Sequence, residues 1–142
     1  MHEFPHRYAV SAATKPAEDV IVSSTGLETL RSAPPAEFGG DGDKWSPETF
    51  LVAAVADCFV LSFKAIANAS RFEWTELQCD VEGTLDRLAD GIQFTAFRVR
   101  AHLTIPPAAD KARASKLLEK AEHACLITNS LKARPTLDII LQ

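Results

Sequence analysis

The run from Ser46 to Ala69 constrains this chain more than any other segment. Ser46 is a capping residue, Pro47 suits the first helical position, and Glu48 suits the positive end of a helix dipole. Apolar residues then run from Phe50 to Ile66, interrupted by Asp57, Ser62 and Lys64. The pattern predicts a helix from Pro47 to about Ala69 that is apolar nearly all round. Such a helix has to be covered on most sides. The stretch falls short of the ~20 clean residues a membrane span needs, which predicts a buried core helix and no membrane association.

The remaining segments must supply the cover. Residues 6–13 and 19–24 read as short strands, and Gly26 turns the chain into a third near 27–32. A loop follows from Ser32 to Trp45, with Pro34, Pro35, Gly39, Gly40 and Gly42 ruling out regular structure. Residues 77–86 alternate cleanly: Leu77, Cys79, Val81, Gly83 and Leu85 share one face of a half-buried strand. Ala89-Asp90-Gly91 turns it into a second strand over 92–105. There Ile92 and Phe94 are out of phase with Phe97, Val99 and Ala101, which predicts a bulge near Ala96 or Phe97. A second helix spans about Ala108 to Ala124, and Thr136 to Leu141 forms a last strand. This order does not alternate strand and helix regularly, so the fold class is α+β.

Length and composition fit one domain over 1–142. The chain is 46% hydrophobic and 24% charged. Its formal net charge is −4 with lysines and arginines scattered, which argues against a nucleic-acid partner. The opening Met1-His2-Glu3-Phe4-Pro5 lacks the basic and apolar regions of a secretory signal, so a cytoplasmic protein is expected. Three cysteines, an odd number, speak against a disulfide framework and leave room for reactive thiols.

The cysteines separate by position. Cys79 falls on the apolar face of its strand and reads as a small buried hydrophobe. Cys58 lies mid-helix, where a core role is the ordinary expectation. Cys125 sits at the C-terminal end of the second helix, where the dipole does not lower a thiol pKa. Spacing alone does not bring Cys58 and Cys125 together. The histidines carry no ligand pattern. His2 and His6 lie near the N-terminus, His102 on a polar strand face, and His123 on a different helix face from Cys125. Asp41-x-Asp43 lacks the further ligands of a calcium loop. Asp57, directly before Cys58, has no firm role.

Two segments carry a family resemblance. Phe38-Gly-Gly-Asp-Gly-Asp-Lys-Trp-Ser-Pro-Glu48, followed by Leu51-Val-Ala-Ala-Val-Ala-Asp-Cys58-Phe59, resembles the signature of the OsmC/Ohr family of thiol peroxidases. Ala121-Glu-His-Ala-Cys125-Leu-Ile-Thr-Asn-Ser130-Leu131 resembles that family's second cysteine motif. The order of elements agrees over nearly the whole chain. The resemblance implies an interlocked homodimer with two sites at the interface. It implies that Cys58 attacks an organic hydroperoxide, that Cys125 resolves the sulfenic acid as a disulfide, and that a small thiol or dithiol restores the pair. No metal, flavin or nucleotide cofactor is implied.

Glu48 matches the family's active-site glutamate. Ten residues of helix span about 15 Å, so Glu48 acts on Cys58 only if a partner subunit brings the two together. The family's activating arginine has no counterpart where it is expected. The corresponding segments read Lys15-Pro-Ala-Glu18-Asp19-Val20 and Pro34-Pro35-Ala36-Glu37-Phe38. Arg31 is the nearest substitute, with Lys44 another candidate and Arg7 a weaker one. A thiolate in an apolar site needs such a cation. Phe59 and Phe63 near Cys58 are expected to favour alkyl or lipid peroxides. Two rivals stand beside the peroxidase: a binding protein with an apolar interface pocket for a small acyl or aromatic ligand, and a redox-sensing stress protein.

Overall fold

The computed structural model describes residues 1–142. Its elements run in the order strand, strand, strand, helix, hairpin, helix, short helix, strand, an α+β arrangement. The chain forms two compact units, Met1–Phe50 and Leu51–Gln142.

The first unit is a three-stranded antiparallel sheet of β1 (Ser11–Ala13), β2 (Val20–Ser23) and β3 (Leu30–Ser32), in that order. The strands are shorter than the sequence predicts. Only three residue pairs link β1 to β2, from Ser11 opposite Ser23 to Ala13 opposite Ile21, and residues 6–10 are exposed. The loop after β3 holds one 3-10 turn, Ala36–Phe38. Gly40 is required there, because a Cβ would lie 1.8 Å from the Pro34 carbonyl oxygen. Ser46 then starts helix α1 (Pro47–Ala69) with a reciprocal cap. Its Oγ accepts from the Thr49 N–H at 3.2 Å, and Thr49 Oγ1 accepts from the Ser46 N–H at 2.8 Å.

The second unit holds the rest of α1 and a second sheet. β4 (Glu76–Leu88) pairs antiparallel with β5 (Gly91–Thr104), and β6 (Pro135–Leu141) lies parallel to β5 on its other side. β4 alternates exposed and half-buried residues as its sequence predicts, with Leu77, Cys79, Val81, Gly83 and Leu85 half-buried. The register slips where Thr84 faces Ala96 and Leu85 faces Phe94. The extra residue is therefore Thr95, next to the predicted bulge. Gly83 lies in that region because a Cβ would come 2.9 Å from both Phe94 and Val52.

Helix α2 (Lys111–Ala124) starts later than predicted, since Asp110 caps it by accepting from the Arg113 N–H at 3.0 Å. It forms the crossover that a parallel β5–β6 pair requires. A one-turn helix α3 (Leu126–Asn129) follows, which the sequence did not signal. The core combines Val55, Phe59, Phe63 and Ala67 of α1 with Phe97, Val99, Ala101 and Leu103 of β5 and Ala114, Leu118 and Ala121 of α2.

One expectation needs correction. Within the chain, α1 buries a single stripe, Val55, Phe59, Phe63 and Ala67, rather than most of its surface. Its other apolar residues are half-exposed, and Leu61 is 54% exposed. The sheet and α2 cover only one side, and the stripe's four-residue spacing marks which. α1 is also longer than its apolar run: by length and composition it is the one helix able to cross a membrane. Its buried stripe instead packs into the core of an α+β unit.

Candidate active site

The predicted residues fall into two groups, one in each unit. In the Leu51–Gln142 unit, Cys58 lies on the flank of the buried α1 stripe, beside Phe59, and is half-buried. Cys125 is the residue between α2 and α3, in an extended conformation with φ −64° and ψ 109°, and is only 1% exposed. Several bonds fix this corner. The Cys125 N–H donates to the Glu122 carbonyl at 3.2 Å. The Cys125 carbonyl accepts from the Asn129 N–H at 3.1 Å and from the Thr128 hydroxyl at 3.2 Å. Buried Glu122 pairs with Arg134 at 3.6 Å, and Arg134 donates to Asn129 Oδ1 at 3.0 Å. The junction is thus tied to the start of β6.

The fold brings the two thiols into one neighbourhood: Cys58 lies close enough to Cys125 to raise the latter's thiol pKa. All three cysteines are free thiols. Burial pushes the Cys125 thiol above its ordinary value, hydrogen bonds from Thr128 pull it part of the way back, and Cys58 pushes it up again. Cys125 is therefore a neutral thiol at neutral pH, suited to following another sulfur rather than leading. Thr128 is a residue sequence reasoning missed. Its signal was available: a threonine three residues after Cys125, within reach across one turn.

Cys79 is also placed as predicted, on the core-facing side of β4 opposite Ala101. Burial, then the charge of Asp80 and then that of Cys125, push its thiol up to about 12. It stays protonated and unreactive across the physiological range. Phe59 and Phe63 depart from expectation. They are 1% and 0% exposed, so they build the core instead of lining an approach to Cys58.

In the Met1–Phe50 unit, Glu48 lines a cavity of about 400 Å³ walled by Val20, Val22, Pro34, Pro35, Phe38 and Phe50, among others. Trp45 stacks on Phe50 with centroids 5.7 Å apart. Glu48 Oε2 is buried and has no hydrogen-bond partner. The candidate cations are engaged elsewhere. Arg31 lies opposite Ile21, out of phase with Val20, Val22 and Ser32, which line the cavity. Its guanidinium, 61% exposed, pairs with Asp19 at 3.4 Å. Lys44 pairs with Asp43 at 2.9 Å and with Asp19 at 3.8 Å.

The other residues singled out have ordinary partners. His102 Nε2 lies 3.4 Å from Asp80, and His123 bonds the Glu119 carbonyl at 2.8 Å. Asp57 is exposed. No group of three or more His, Cys, Asp or Glu side chains is arranged to hold a metal ion.

Comparison with known proteins places this fold. The family model of OsmC-like proteins matches residues 40–140, a span that includes Glu48, Cys58 and Cys125 and leaves out Arg31. The chain belongs to the OsmC-like family. It is 29% identical over 136 residues to the organic hydroperoxide resistance protein of Xanthomonas axonopodis pv. citri, covering 94% of this chain and 91% of that protein. It is 26% identical over 103 residues to the peroxiredoxin OsmC of Escherichia coli, covering 72% and 71%. In structure it matches an OsmC-like protein of unknown function from Vibrio cholerae with a TM-score of 0.87 at 18% identity, over 96% of this chain and all of that one.

Proposed function

We propose that this protein is a thiol peroxidase that reduces organic hydroperoxides through Cys58 and Cys125. The observation that carries the reading is the pairing of these two thiols in one compact unit. Cys58, as thiolate, attacks the terminal peroxide oxygen. The O–O bond breaks, Cys58 becomes a sulfenic acid, and the departing alkoxide takes a proton to become the alcohol. Cys125 then attacks the Cys58 sulfur. A disulfide forms, and the sulfenic oxygen leaves as water with the Cys125 proton. A small thiol or dithiol reduces the disulfide by exchange, itself oxidised in turn. The relatives named for hydroperoxide resistance and peroxiredoxin activity support this chemistry.

The proposed working form is a cytoplasmic homodimer in which residues 1–142 act as one domain. The half-exposed apolar flanks of α1 support a second copy as their cover. The partner's Glu48 then completes the site around Cys58. Arg31, exposed and paired with Asp19, is at most a weak activator of the thiolate. That weak activation implies slow turnover. A second reading, a small-molecule binding protein, is favoured by the apolar cavity beside Glu48. Consumption of cumene hydroperoxide with a dithiol decides between them. The wild type is expected to consume peroxide well above the Cys58→Ser variant; equal rates contradict the peroxidase reading.

A further inference from the structure

Glu122 is the one charged residue buried in this chain, and it stands on α2 just before the Cys125 corner. A carboxylate leaves water at high cost unless it is paired. Its partner is Arg134, whose Nη2 lies 3.6 Å from Glu122 Oε1. The other arm of the same guanidinium, Nη1, donates to Asn129 Oδ1 at 3.0 Å. His123 is a weaker partner: its Nδ1 lies 3.3 Å from Glu122 Oε2 but is closer to the Glu119 carbonyl, at 2.8 Å. Arg134 thus grips the chain on both sides of Cys125, on α2 and at the end of α3. Asn129 adds a bond across the corner, donating from Nδ2 to the His123 carbonyl at 3.2 Å. The grip is anchored in the sheet. Arg134 directly precedes Pro135, which starts β6 opposite the core residue Phe97, and Lys132 bonds Gln93 of β5 at 3.3 Å. Stability alone is a poor reason for such a pair, because apolar residues of similar volume often hold a fold as well or better. What the pair supplies is a fixed place for the residue between its arms, since a planar guanidinium holds two partners in a set geometry.

We propose that Glu122 and Arg134 are positioning residues for Cys125, holding its thiol where it reaches the Cys58 sulfur, and that they govern disulfide closure rather than the first attack on peroxide. A disulfide closes only when the two Cα atoms stand about 4.4–6.8 Å apart, and a misplacement of about 1 Å can cost a hundredfold in rate. In closure the Cys125 sulfur bonds to the Cys58 sulfur and the S–O bond of the sulfenic acid breaks. The hydroxyl leaves as water with the Cys125 proton. This inference rests on the proposed function and deepens it by naming what sets its second step.

Two measurements on the full chain test it, with Arg134→Ala and with the double variant Glu122→Leu/Arg134→Leu. The first is the equilibrium of the Cys58–Cys125 disulfide with glutathione, which needs no peroxide. Wild type is expected to favour the disulfide at least about tenfold more than either variant. The second is reaction with one equivalent of cumene hydroperoxide in the presence of dimedone, which traps sulfenic acids. The variants should consume peroxide within about twofold of wild type, while trapped Cys58 sulfenic acid accumulates because closure slows at least about tenfold. The double variant removes both charges and keeps apolar bulk, so its thermal unfolding should stay near that of wild type and separate position from stability. The proposal is overturned if either variant closes the disulfide as readily as wild type in glutathione, or if attack and closure slow together in the double variant. A wild type that consumes no peroxide but keeps the glutathione ranking would sink the peroxidase reading and leave this inference intact; peroxide consumption without the ranking would do the opposite.

Discussion

In the Leu51–Gln142 unit the two candidate thiols lie in one neighbourhood, with Cys58 near Cys125 and Thr128 bonded to the latter. In the Met1–Phe50 unit the candidate carboxylate has an oxygen with no partner, in a cavity with no cation. The difference follows from what each unit is made of. The thiol unit has a large core of two helices and a sheet, so side chains are positioned by packing on several sides. The carboxylate unit is three strands of three or four residues with a proline- and glycine-rich loop. Short strands with sparse cover leave a cavity.

The largest expected effect tests the packing side of this comparison. Phe59 lies in the buried stripe next to Cys58, and Phe59→Ala should cost ~3–5 kcal/mol of stability by denaturant unfolding. Leu61, exposed on the same helix, should cost little in a dilute monomer and more where a dimer forms. Equal losses for the two at low concentration would show that α1 is not held by one stripe.

A smaller effect appears at alkaline pH. The Cys79 thiol is raised from 9.0 to about 12 in the folded chain. Between those values the unfolded chain releases a proton that the folded chain keeps. Stability is therefore fully present below about pH 9 and falls as pH rises toward 12. Thermal unfolding across this window should show a steep decline that is shallower in Cys79→Ala. A remaining slope is expected, since Cys125 is raised as well. An unchanged profile would mean that Cys79 is not held neutral by burial. The same variant should leave peroxide consumption within about twofold of wild type, as a thiol that stays protonated takes no part.

The smallest effect belongs to the carboxylate unit. Arg31 is exposed and paired with Asp19, an arrangement worth ~0–1 kcal/mol. Arg31→Ala should lower peroxide turnover by no more than about fivefold, the rate equivalent of that energy. A loss of a hundredfold or more, on the order of 3 kcal/mol, would place Arg31 in direct contact with the reacting sulfur and erase the contrast between the units.

Much of this was legible in the sequence because strand and helix periods sort residues by face. Alternation along 77–86 assigned Cys79 to the core, and the helix start at Ser46-Pro47 fixed where Glu48 stands. Arg31 shows the same rule used too late. Its phase relative to Ser32 and its pairing opposite Ile21 turn it away from the cavity, and the register of β2 with β3 is needed to see it. Other features had no local signal. The α3 turn has no side-chain cap, and the parallel pairing of β6 with β5 is a long-range choice. The half-exposed flanks of α1 were not legible because apolarity reports a need for cover and not which neighbour meets it.

The central claim is that Cys58 leads, Cys125 follows, and Cys79 stands aside. It is tested by exposing the reduced wild-type chain to one equivalent of cumene hydroperoxide without reductant, blocking free thiols, and mapping the peptides by mass. The account predicts a Cys58–Cys125 disulfide within one chain and a blocked, unoxidised Cys79, with Cys125→Ser instead stopping at a Cys58 sulfenic acid. A disulfide that includes Cys79, or oxidation that begins at Cys125 in a Cys58→Ser chain, would contradict it.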